Sequence, residues 1–315
     1  PAFAEPGLDE LRRQWLADIE SNRKEPEAVV SNALARLGNP YPATDWRYTP
    51  TYDEQEARIK ALTVAQVSDF HRRFYSAQQS VFAAVGDFDA AAVQRALATA
   101  FGDWRQPAAG PLPYKRVPRP LGPLKPERLV LPTPDKQNAN LLAHLPLPMN
   151  DTHADYVPFM LANYIVGQGG SSRLWTRIRE KEGLSYDVRS TVQWNPQEAA
   201  SRWVSSAIFA PQNQPRVEAA WREELARATR EGFTQAELDE AKSALLNFRR
   251  LARAHDDVVA GQAAMQLHLG RRFAFVQQVD DRIAAATLEQ VNAAWRRHFD
   301  PARAAVAWGG DFPKP

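Results

Sequence analysis

A segment that occurs twice, once near each end of the chain, restricts the fold more than any other sequence feature. Residues 63–88 and 287–312 align without gaps at a constant offset of 224, and nine of the 26 aligned positions are identical. Both copies place a basic segment ahead of a short apolar run that ends in Gly-Asp-Phe. Because an internal repeat indicates a repeated piece of structure, we expect two related domains.

A second, weaker similarity indicates that the two domains differ in length. Leu8-Asp9-Glu10 opens a segment similar to the one that Leu238-Asp239-Glu240 opens. About 110 residues of the second copy precede Leu238, whereas seven residues precede Leu8. We therefore expect the first domain, residues 1–105, to be the back half of a truncated domain. The second domain, residues 126–315, is expected to be complete.

Prolines mark the expected boundary between the two domains. Seven prolines lie between Trp104 and Glu127. Proline fixes the backbone φ angle and continues neither a helix nor a central strand, so residues 106–125 are predicted to be an extended linker.

Hydrophobic periodicity predicts helices and strands in a mixed order. The predicted helices cover a segment from Leu8 to near Pro26 and residues 53–61, 63–75, 89–101, 151–166, 172–181, 216–230, 235–252 and 287–298, and residues 256–283 are largely helical. The predicted strands cover residues 81–86, 127–131, 139–147, 185–193, 200–209 and 304–308. This pattern indicates an α+β fold with a mixed or antiparallel sheet.

Composition excludes several classes of function. The 39 Lys and Arg residues nearly balance the 37 Asp and Glu residues, and the net charge of +2 gives no general attraction to nucleic acid. No apolar run approaches the roughly 18 residues that a membrane-spanning helix needs. The absence of cysteine excludes disulfides and thiolate metal sites.

The six histidines show no spacing that is typical of a metal site. Zinc peptidases carry two histidines on one helix face in the pattern HExxH or HxxEH, and neither pattern occurs in the sequence. His255-Asp256-Asp257 favours a polar helix start over a ligand cluster. His71 and His298 end the two repeated helices, where a cation interacts favourably with the helix dipole. We expect no metal ion and no peptidase activity in this chain alone.

The most specific motif runs from Gly169 to Val188 and reads GGSSRLWTRIREKEGLSYDV. It combines a glycine-rich turn, Ser172-Arg173-Leu174, the helix end Arg179-Glu180-Lys181 and a Gly183-Leu184-Ser185-Tyr186 entry into a strand. The motif resembles the C-terminal-domain signature of the pitrilysin/insulinase family of zinc metallopeptidases, the inverzincins. The stretches Val85–Asp89 and Phe101–Trp104 resemble the part of that family before its inter-domain linker, so the resemblance covers nearly the whole chain. It implies tandem αβ domains of the mitochondrial-processing-peptidase type, the first of them truncated.

The resemblance also implies a role for Arg179 and Tyr186 as substrate-binding residues. In this family an Arg and a Tyr seven residues apart bind the substrate backbone and help to stabilise the tetrahedral intermediate, at a distance in sequence from the zinc ligands. A guanidinium suits peptide carbonyls, and a tyrosine hydroxyl can donate to a developing oxyanion. Without the motif, a surface arginine and a strand tyrosine would be the simpler interpretation.

Departures from the family pattern imply that zinc belongs to another part of the intact protein. The predicted helix 151–166 stands in the place of the metal helix, but it carries His153 without a paired ligand. Asp18 and Glu20 lie where an active domain carries its third ligand, and they have no histidines to join. The resemblance thus implies a zinc-free C-terminal half whose partner is an N-terminal zinc-bearing half or subunit, with an extended peptide as substrate.

Two functions stay open on the sequence. One is this zinc-free half of a zinc endopeptidase, and the other is a non-catalytic subunit of the same fold that binds peptides or serves assembly. An HxxEH motif encoded upstream of Pro1 would favour the first function, and its absence would favour the second. The resemblance suggests the bacterial periplasm, with the cytoplasm as the alternative. An uncovered face of the truncated domain would favour a homo-oligomer.

Overall fold

The computed structural model describes residues 1–105, 116–122 and 124–312. Its α-helices are α1 (Glu5–Asn22), α2 (Pro26–Leu37), α3 (Tyr52–Ala61), α4 (Val64–Phe74), α5 (Ala90–Phe101), α6 (Tyr156–Asn163), α7 (Gln214–Glu231), α8 (Gln235–Ala252), α9 (Asp256–His268), α10 (Ala274–Ala285) and α11 (Leu288–His298). Its strands are β1 (Arg128–Pro132), β2 (Ala139–Leu147), β3 (Ser185–Gln193), β4 (Ser201–Phe209) and β5 (Ala305–Gly310). Helices with one mixed sheet confirm the predicted α+β class.

Two compact units make up the chain. The first unit consists of Pro1–Asp18, Glu54–Pro118 and Phe248–Gln277, and the second consists of Ile19–Asp53, Arg119–Asn247 and Gln278–Pro315. The predicted domains 1–105 and 126–315 stay predictions. Residues 106–115 and Pro123 of the predicted linker lie outside the described residues. In the part of the chain that the structure describes, none of the helices is both long enough and apolar enough to cross a membrane.

The sheet of the second unit has the strand order β1-β5-β2-β4-β3. β1 and β5 are parallel, and the other neighbouring strands are antiparallel. The predicted strands 139–147 and 185–193 are confirmed to the residue. The central strand β2 has both faces largely buried, so helices cover the sheet on both sides.

Tryptophans fill the space between one face of the sheet and three helices. Trp203 of β4 packs edge-on against Phe299, at 4.9 Å between ring centroids, just beyond the end of α11. Trp295 of α11 stacks on Phe159 of α6 with 5.3 Å between centroids. Trp221 of α7 donates from its indole nitrogen to the Ser205 hydroxyl at 3.0 Å. Helices α6, α7 and α11 are thereby fixed to the sheet.

Helix α2 covers the opposite face. Its buried residues Val30 and Leu34 form one apolar cluster with Ala305 and Ala307 of β5. The sequence does not predict this helix, because Pro26 was expected only to end the preceding one. Pro26 is instead the first residue of α2, a position where the missing backbone N–H costs nothing and the fixed φ angle suits a helix.

The predicted strand 81–86 of the first unit is wrong. The structure assigns no strand there, and Val81, Phe82 and Val85 are 42%, 57% and 39% exposed. The aligned segment in the second copy is β5, which hydrogen-bonds to β1 on one side and β2 on the other. A strand exists only with neighbours that satisfy its backbone groups, and the described residues of the first unit include no other strand.

Two predicted helices contain π-helical segments. The predicted helix 151–166 begins as α-helix only at Tyr156 and ends in a π-helical turn, Tyr164–Gln168. The predicted helix 172–181 is largely a π-helix, Trp175–Lys181. The first π-turn places Gly167 so close to β3 that a Cβ atom would lie 2.5 Å from the backbone nitrogen of Ser190. Only glycine fits at this position without a shift of the strand.

Candidate functional site

Residues 169–188, the sequence motif, form the π-helix Trp175–Lys181, a glycine turn and the start of β3. The π-helix buries Ile178, whose carbonyl accepts a 2.9 Å hydrogen bond from the Leu184 amide. Gly183 has a φ of +60°, a conformation that glycine adopts at little cost. The chain thus reverses within three residues. π-Helical segments are rare and occur frequently at functional sites, so the geometry singles out the same segment as the sequence.

Strand β3 begins with a bulge that exposes Tyr186. Ser185 pairs with Phe209 and Asp187 pairs with Ile208, so Tyr186 is the extra residue between them. The Ser185 hydroxyl lies 2.6 Å from the Asp187 carbonyl and 2.7 Å from the Ile208 carbonyl, which holds the bulge together. The Tyr186 side chain is 67% exposed. A bulge often redirects one side chain beside a binding site, and here it keeps Tyr186 out of the core.

Arg179 lies against this bulge. Its Nε donates a 3.0 Å hydrogen bond to the backbone carbonyl of Tyr186, and its guanidinium carbon lies 4.1 Å from the centre of the Trp175 ring. Trp175 is itself held by a 3.2 Å hydrogen bond from its indole nitrogen to Glu180. These contacts fix the guanidinium while the residue as a whole stays exposed. The structure therefore brings both residues singled out in the sequence, Arg179 and Tyr186, to one exposed place.

Arg179 and Tyr186 both offer hydrogen-bond donors at this exposed surface. The Arg179 Nη groups form no hydrogen bond with any residue of the described ranges, and they keep their N–H donors for a ligand. The Tyr186 hydroxyl is a further donor. Two donor groups on a rigid turn can bind the carbonyl oxygens of an extended peptide backbone, and they can also stabilise negative charge on such an oxygen.

Arg173, in the same motif, stabilises the domain instead of facing a ligand. Its Nε and Nη2 donate to the two carboxylate oxygens of Glu237 at 2.6 and 2.8 Å, and Nη2 also donates to the Gly232 carbonyl. Burial alone would raise the pKa of Glu237, but the hydrogen bonds from Arg173 and Thr234 outweigh it and lower the pKa. Arg173 thereby ties the start of the motif to α8 and to the turn before it.

A cavity of about 500 Å³ next to Arg173 is lined by charged groups that neutralise each other. Arg177 contacts Glu182 at 3.0 Å and also pairs with Glu223. The hydrogen bond from Arg177 lowers the pKa of Glu223. Arg227 donates at 2.6 Å to Glu224, a carboxylate with 1% of its side chain exposed. Since these charges already have partners, this cavity is a structural ion-pair network.

Two of the six histidines contact Asp155, one at its carboxylate and one at its backbone amide, which the sequence did not predict. His298 Nε2 lies 2.7 Å from Asp155 Oδ2, and Arg297 donates to the same oxygen. His153 Nδ1 accepts a 3.0 Å hydrogen bond from the Asp155 amide. Burial would raise the pKa of Asp155, but the hydrogen bonds from His298 and Arg297 lower it. His153 and His298 are 145 positions apart, so their spacing in the sequence carries no signal of this contact.

These three side chains do not fit a zinc ion, although their ligand atoms lie within 4.8 Å of one another. The Arg297 guanidinium donates a hydrogen bond to Asp155 Oδ2, the same oxygen that faces His298 and that a metal ion would need as a ligand. His153 uses Nδ1 as an acceptor, which places the proton of the neutral imidazole on Nε2, the other possible ligand atom. We therefore derive no zinc chemistry from this group.

Asp18 and Glu20, which the resemblance puts in the place of a third zinc ligand, are exposed on α1. Glu20 lies 2.6 Å from Lys24, one helical turn away. Asp18 is exposed on the same helix. His144, by contrast, is 6% exposed on β2. Burial, and secondarily the charge of Arg202, lowers the pKa of His144 to about 3.

Comparison with known proteins agrees with the motif. Residues 61–245 match the family model described as the peptidase M16 inactive domain, and this span is more than half of the 315 residues. An uncharacterized zinc protease of Mycobacterium bovis is 26% identical over 289 residues, which cover 89% of this chain and 62% of that protein. The chain thus spans about three fifths of the length of the curated relatives that it matches.

Solved structures show the same fold. A peptidase M16 inactive domain from Pseudomonas fluorescens is similar with a TM-score of 0.80 at 23% identity, over 100% of this chain and 73% of that chain. A periplasmic protease from Escherichia coli is similar with a TM-score of 0.72 at 15% identity, over 98% of this chain and 33% of that chain. The resemblance to the pitrilysin/insulinase family is confirmed. The chain belongs to the peptidase M16 inactive-domain family.

Proposed function

We propose that this chain is the zinc-free C-terminal half of a zinc endopeptidase and that Arg179 and Tyr186 act on its peptide substrate. The observation that carries the proposal is the hydrogen bond from Arg179 Nε to the carbonyl of Tyr186, at a bulge that leaves the tyrosine 67% exposed. This bond fixes the Arg179 guanidinium against the backbone of Tyr186 before any ligand binds. Pre-organised donors are the feature that oxyanion stabilisation needs.

Arg179 and Tyr186 have different roles in this proposal. The free N–H groups of Arg179 bind carbonyl oxygens of an extended peptide, in the ground state and in the transition state alike. The Tyr186 hydroxyl donates to the oxygen on which negative charge develops, so its contribution is largest in the transition state. Arg173 and Glu237 keep the motif in place through their two-pronged ion pair.

Zinc belongs, in this proposal, to an N-terminal half or a partner subunit. The relatives are named zinc proteases, and this chain spans 62% of their length, which leaves room for a metal-bearing segment in the intact protein. When bound, zinc would polarise the scissile carbonyl and activate a water molecule. The residues of this chain bind and orient the peptide.

An internal duplication is part of the same proposal. Thr63 and Gln66 form a capping box at the start of α4, and Thr287 and Gln290 form the same capping box at the start of α11. Short 3₁₀ turns follow at Ala77–Gln79 and Pro301–Arg303, at the same offset. These features support two domains, 1–105 and 126–315, that are joined by a linker at 106–125.

Location and assembly follow from the proposal as expectations of their own. We propose a periplasmic location, which is supported by a periplasmic protease of the same fold in Escherichia coli. The exposed apolar side chains around Phe82 favour contact with the zinc-bearing half or with a second copy of the chain. Cell fractionation and measurement of the mass in solution test these two points.

The test of the proposed function uses the intact protein with its zinc-bearing part. The double variant Arg179→Ala with Tyr186→Phe should lose most peptide hydrolysis, while zinc content and thermal unfolding stay unchanged. Arg189→Ala, which removes another exposed arginine from the same region, is the matched control and should keep full activity.

Two other results would favour different functions. Full activity in the double variant would show that Arg179 and Tyr186 are surface residues without a role in peptide hydrolysis. An intact protein that binds peptides without hydrolysing them, and has no HxxEH motif, would show the alternative, a non-catalytic binding or assembly subunit.

A further inference from the structure

A second pocket, of about 360 Å³, lies in the second unit at the end of α2 and shares no residue with the Arg179 and Tyr186 site. Its wall is the loop that follows α2, residues 38–49. Asn39 holds this loop by donating to the Arg47 carbonyl at 2.8 Å and to the Thr49 hydroxyl at 2.7 Å. The segment 119–122 closes the pocket from another side. A Cβ atom on Gly122 would lie 2.4 Å from the Gly38 carbonyl oxygen, so the close approach requires glycine.

Among the described residues, three arginines and no acidic residue line this pocket. Arg47 is neutralised by Asp45, whose carboxylate accepts from Arg47 Nε at 2.9 Å and from Nη2 at 2.7 Å. The other two, Arg119 and Arg202, have no such partner in the part of the chain that the structure describes. Two of the three arginines that line the pocket therefore have no ion-pair partner within the described ranges.

Arg202 reaches the pocket from β4. Its only hydrogen-bond contact with the described residues is a long one, 3.5 Å from Nη1 to His144 Nδ1. His144 cannot balance the charge, because an imidazole is either neutral or positive. Burial and the charge of Arg202 lower its pKa to about 3 and keep it neutral. Burial also lowers the pKa of the Arg202 guanidinium. The residue as a whole is nevertheless exposed on β4, so a ligand can reach this guanidinium, which forms no ion pair with the described residues.

Arg119 presents the second guanidinium. Its guanidinium carbon lies 4.6 Å from the centre of the Trp46 ring, and Trp46 is 63% exposed. The carboxylate of Glu198 lies at the same residue, since the backbone amide of Arg119 lies 2.9 Å from both of its oxygens, but it forms no ion pair with the guanidinium. Among residues 1–105, 116–122 and 124–312, no carboxylate forms an ion pair with Arg119 or Arg202.

The size of the pocket indicates an organic ligand. A water molecule takes up roughly 30 Å³, so an inorganic anion would leave most of the 360 Å³ empty. A volume in this range is typical of sites for small organic molecules or for one or two peptide residues. The exposed indole face of Trp46 offers apolar contact beside the two charges.

We propose that this pocket binds a carboxylate carried by a peptide, with Arg202 and Arg119 as its charge partners and Trp46 as its apolar wall. The carboxylate comes either from an acidic side chain or from a free C-terminus. A guanidinium binds both through paired N–H donors. Such a subsite is separate from the proposed peptide hydrolysis and holds whether or not the intact protein is a peptidase.

Isothermal titration calorimetry of the purified chain with four probes tests the proposal. The probes are an acetylated tripeptide amide ending in glutamate, a trialanine with a free C-terminus, an acetylated tripeptide amide ending in glutamine, and inorganic phosphate. We expect binding of at least one of the first two and none of the glutamine peptide. The pattern between the first two identifies the source of the carboxylate.

Single variants assign the binding to this pocket. Arg202→Gln and Arg119→Gln should each weaken binding by about ten- to hundredfold, and Arg202→Lys, which keeps the charge but not the paired donors, should weaken it less. Arg216→Gln removes an exposed arginine from α7 and should leave the affinity unchanged. Thermal unfolding of each variant identifies any that fails to fold, and higher salt should weaken binding to the wild-type chain in any case.

Several outcomes would overturn the proposal. The first two are binding of the glutamine peptide as tightly as the carboxylate peptides, and binding of phosphate when neither carboxylate peptide binds. The others are an affinity that neither Arg202→Gln nor Arg119→Gln changes, and no binding of any probe at millimolar concentration.

Discussion

Arg179 Nε donates a 3.0 Å hydrogen bond to the backbone oxygen of Tyr186, not to its hydroxyl. The position of Arg179 therefore depends on the course of the backbone through the bulge and not on the tyrosine side chain. The hydroxyl can be removed without disturbing the guanidinium, and the guanidinium can be changed without removing the hydroxyl. The two residues can thus be tested one at a time.

Arg179→Lys in the intact protein should raise KM by about ten- to hundredfold, because lysine keeps the charge but loses the paired donors for peptide carbonyls. Steady-state kinetics with one peptide substrate checks this. Arg189→Lys on β3, an exposed arginine that contacts Asp187 at 2.7 Å, is the matched control. An unchanged KM in Arg179→Lys would show that the arginine does not bind substrate.

Arg173→Ala should lower the free energy of unfolding by about 1.5–3 kcal/mol, since it removes hydrogen bonds to a carboxylate and leaves Glu237 without its partner. Urea unfolding followed by circular dichroism measures the loss. The control is Arg189→Ala, whose side chain is 65% exposed compared with 12% for Arg173, and it should cost less than about 1 kcal/mol. Equal losses in the two variants would contradict a stabilising role for Arg173.

Leu34→Ala should lower the free energy of unfolding by about 2–5 kcal/mol, because Leu34 is 1% exposed in the cluster of α2 with β5 and its truncation leaves a cavity. Leu251→Ala, at a position that is 56% exposed, should change stability by less than about 0.5 kcal/mol. The same urea experiment compares them. An unchanged free energy of unfolding in Leu34→Ala would mean that α2 does not cover the sheet.

His144 should make the protein less stable as the pH falls below about 6.5. Its pKa is lowered from 6.5 to about 3 in the folded chain, so between these values the unfolded chain binds a proton that the folded chain does not. Above about pH 6.5 the ring is neutral in both states and adds nothing to the pH dependence of stability. Within the range, His144 lowers the free energy of unfolding by up to about 1.4 kcal/mol for each unit by which the pH falls. The slope of unfolding free energy between pH 6.5 and 5 should become flatter in His144→Gln.

Proton NMR gives a direct check of the same prediction. The imidazole signals of His144 should not shift between pH 7.5 and 5, whereas a titration midpoint near 6.5 would show that the ring is not held in its neutral form.

Elements with strong local signals could be predicted from the sequence. Thr63 and Thr287 start helices where predicted, because a threonine followed three residues later by glutamine can form a capping box without help from the rest of the fold. The strands 139–147 and 185–193 carry their own β-rich pattern and match the structure. The motif likewise pointed to Arg179 and Tyr186, which the structure places side by side.

Features that depend on distant partners could not be predicted. Residues 81–86 have the composition of a strand but form none, since pairing requires neighbours that local sequence does not report. The convergence of His153 and His298 on Asp155 depends on the packing of α6 against α11. The positive pocket arises because Arg119 and Arg202 come from segments that only the fold brings together.

The most direct test of the central claim is the turnover number of Tyr186→Phe in the intact, zinc-bearing protein. The variant lacks only the hydroxyl, so folding, zinc content and KM should change little, while kcat should fall by a factor of about 10²–10³ because a donor to the developing oxyanion is lost. Tyr75→Phe removes the hydroxyl of another exposed tyrosine, 54% exposed, and should retain wild-type kcat. A kcat for Tyr186→Phe equal to that of the wild type would contradict the account.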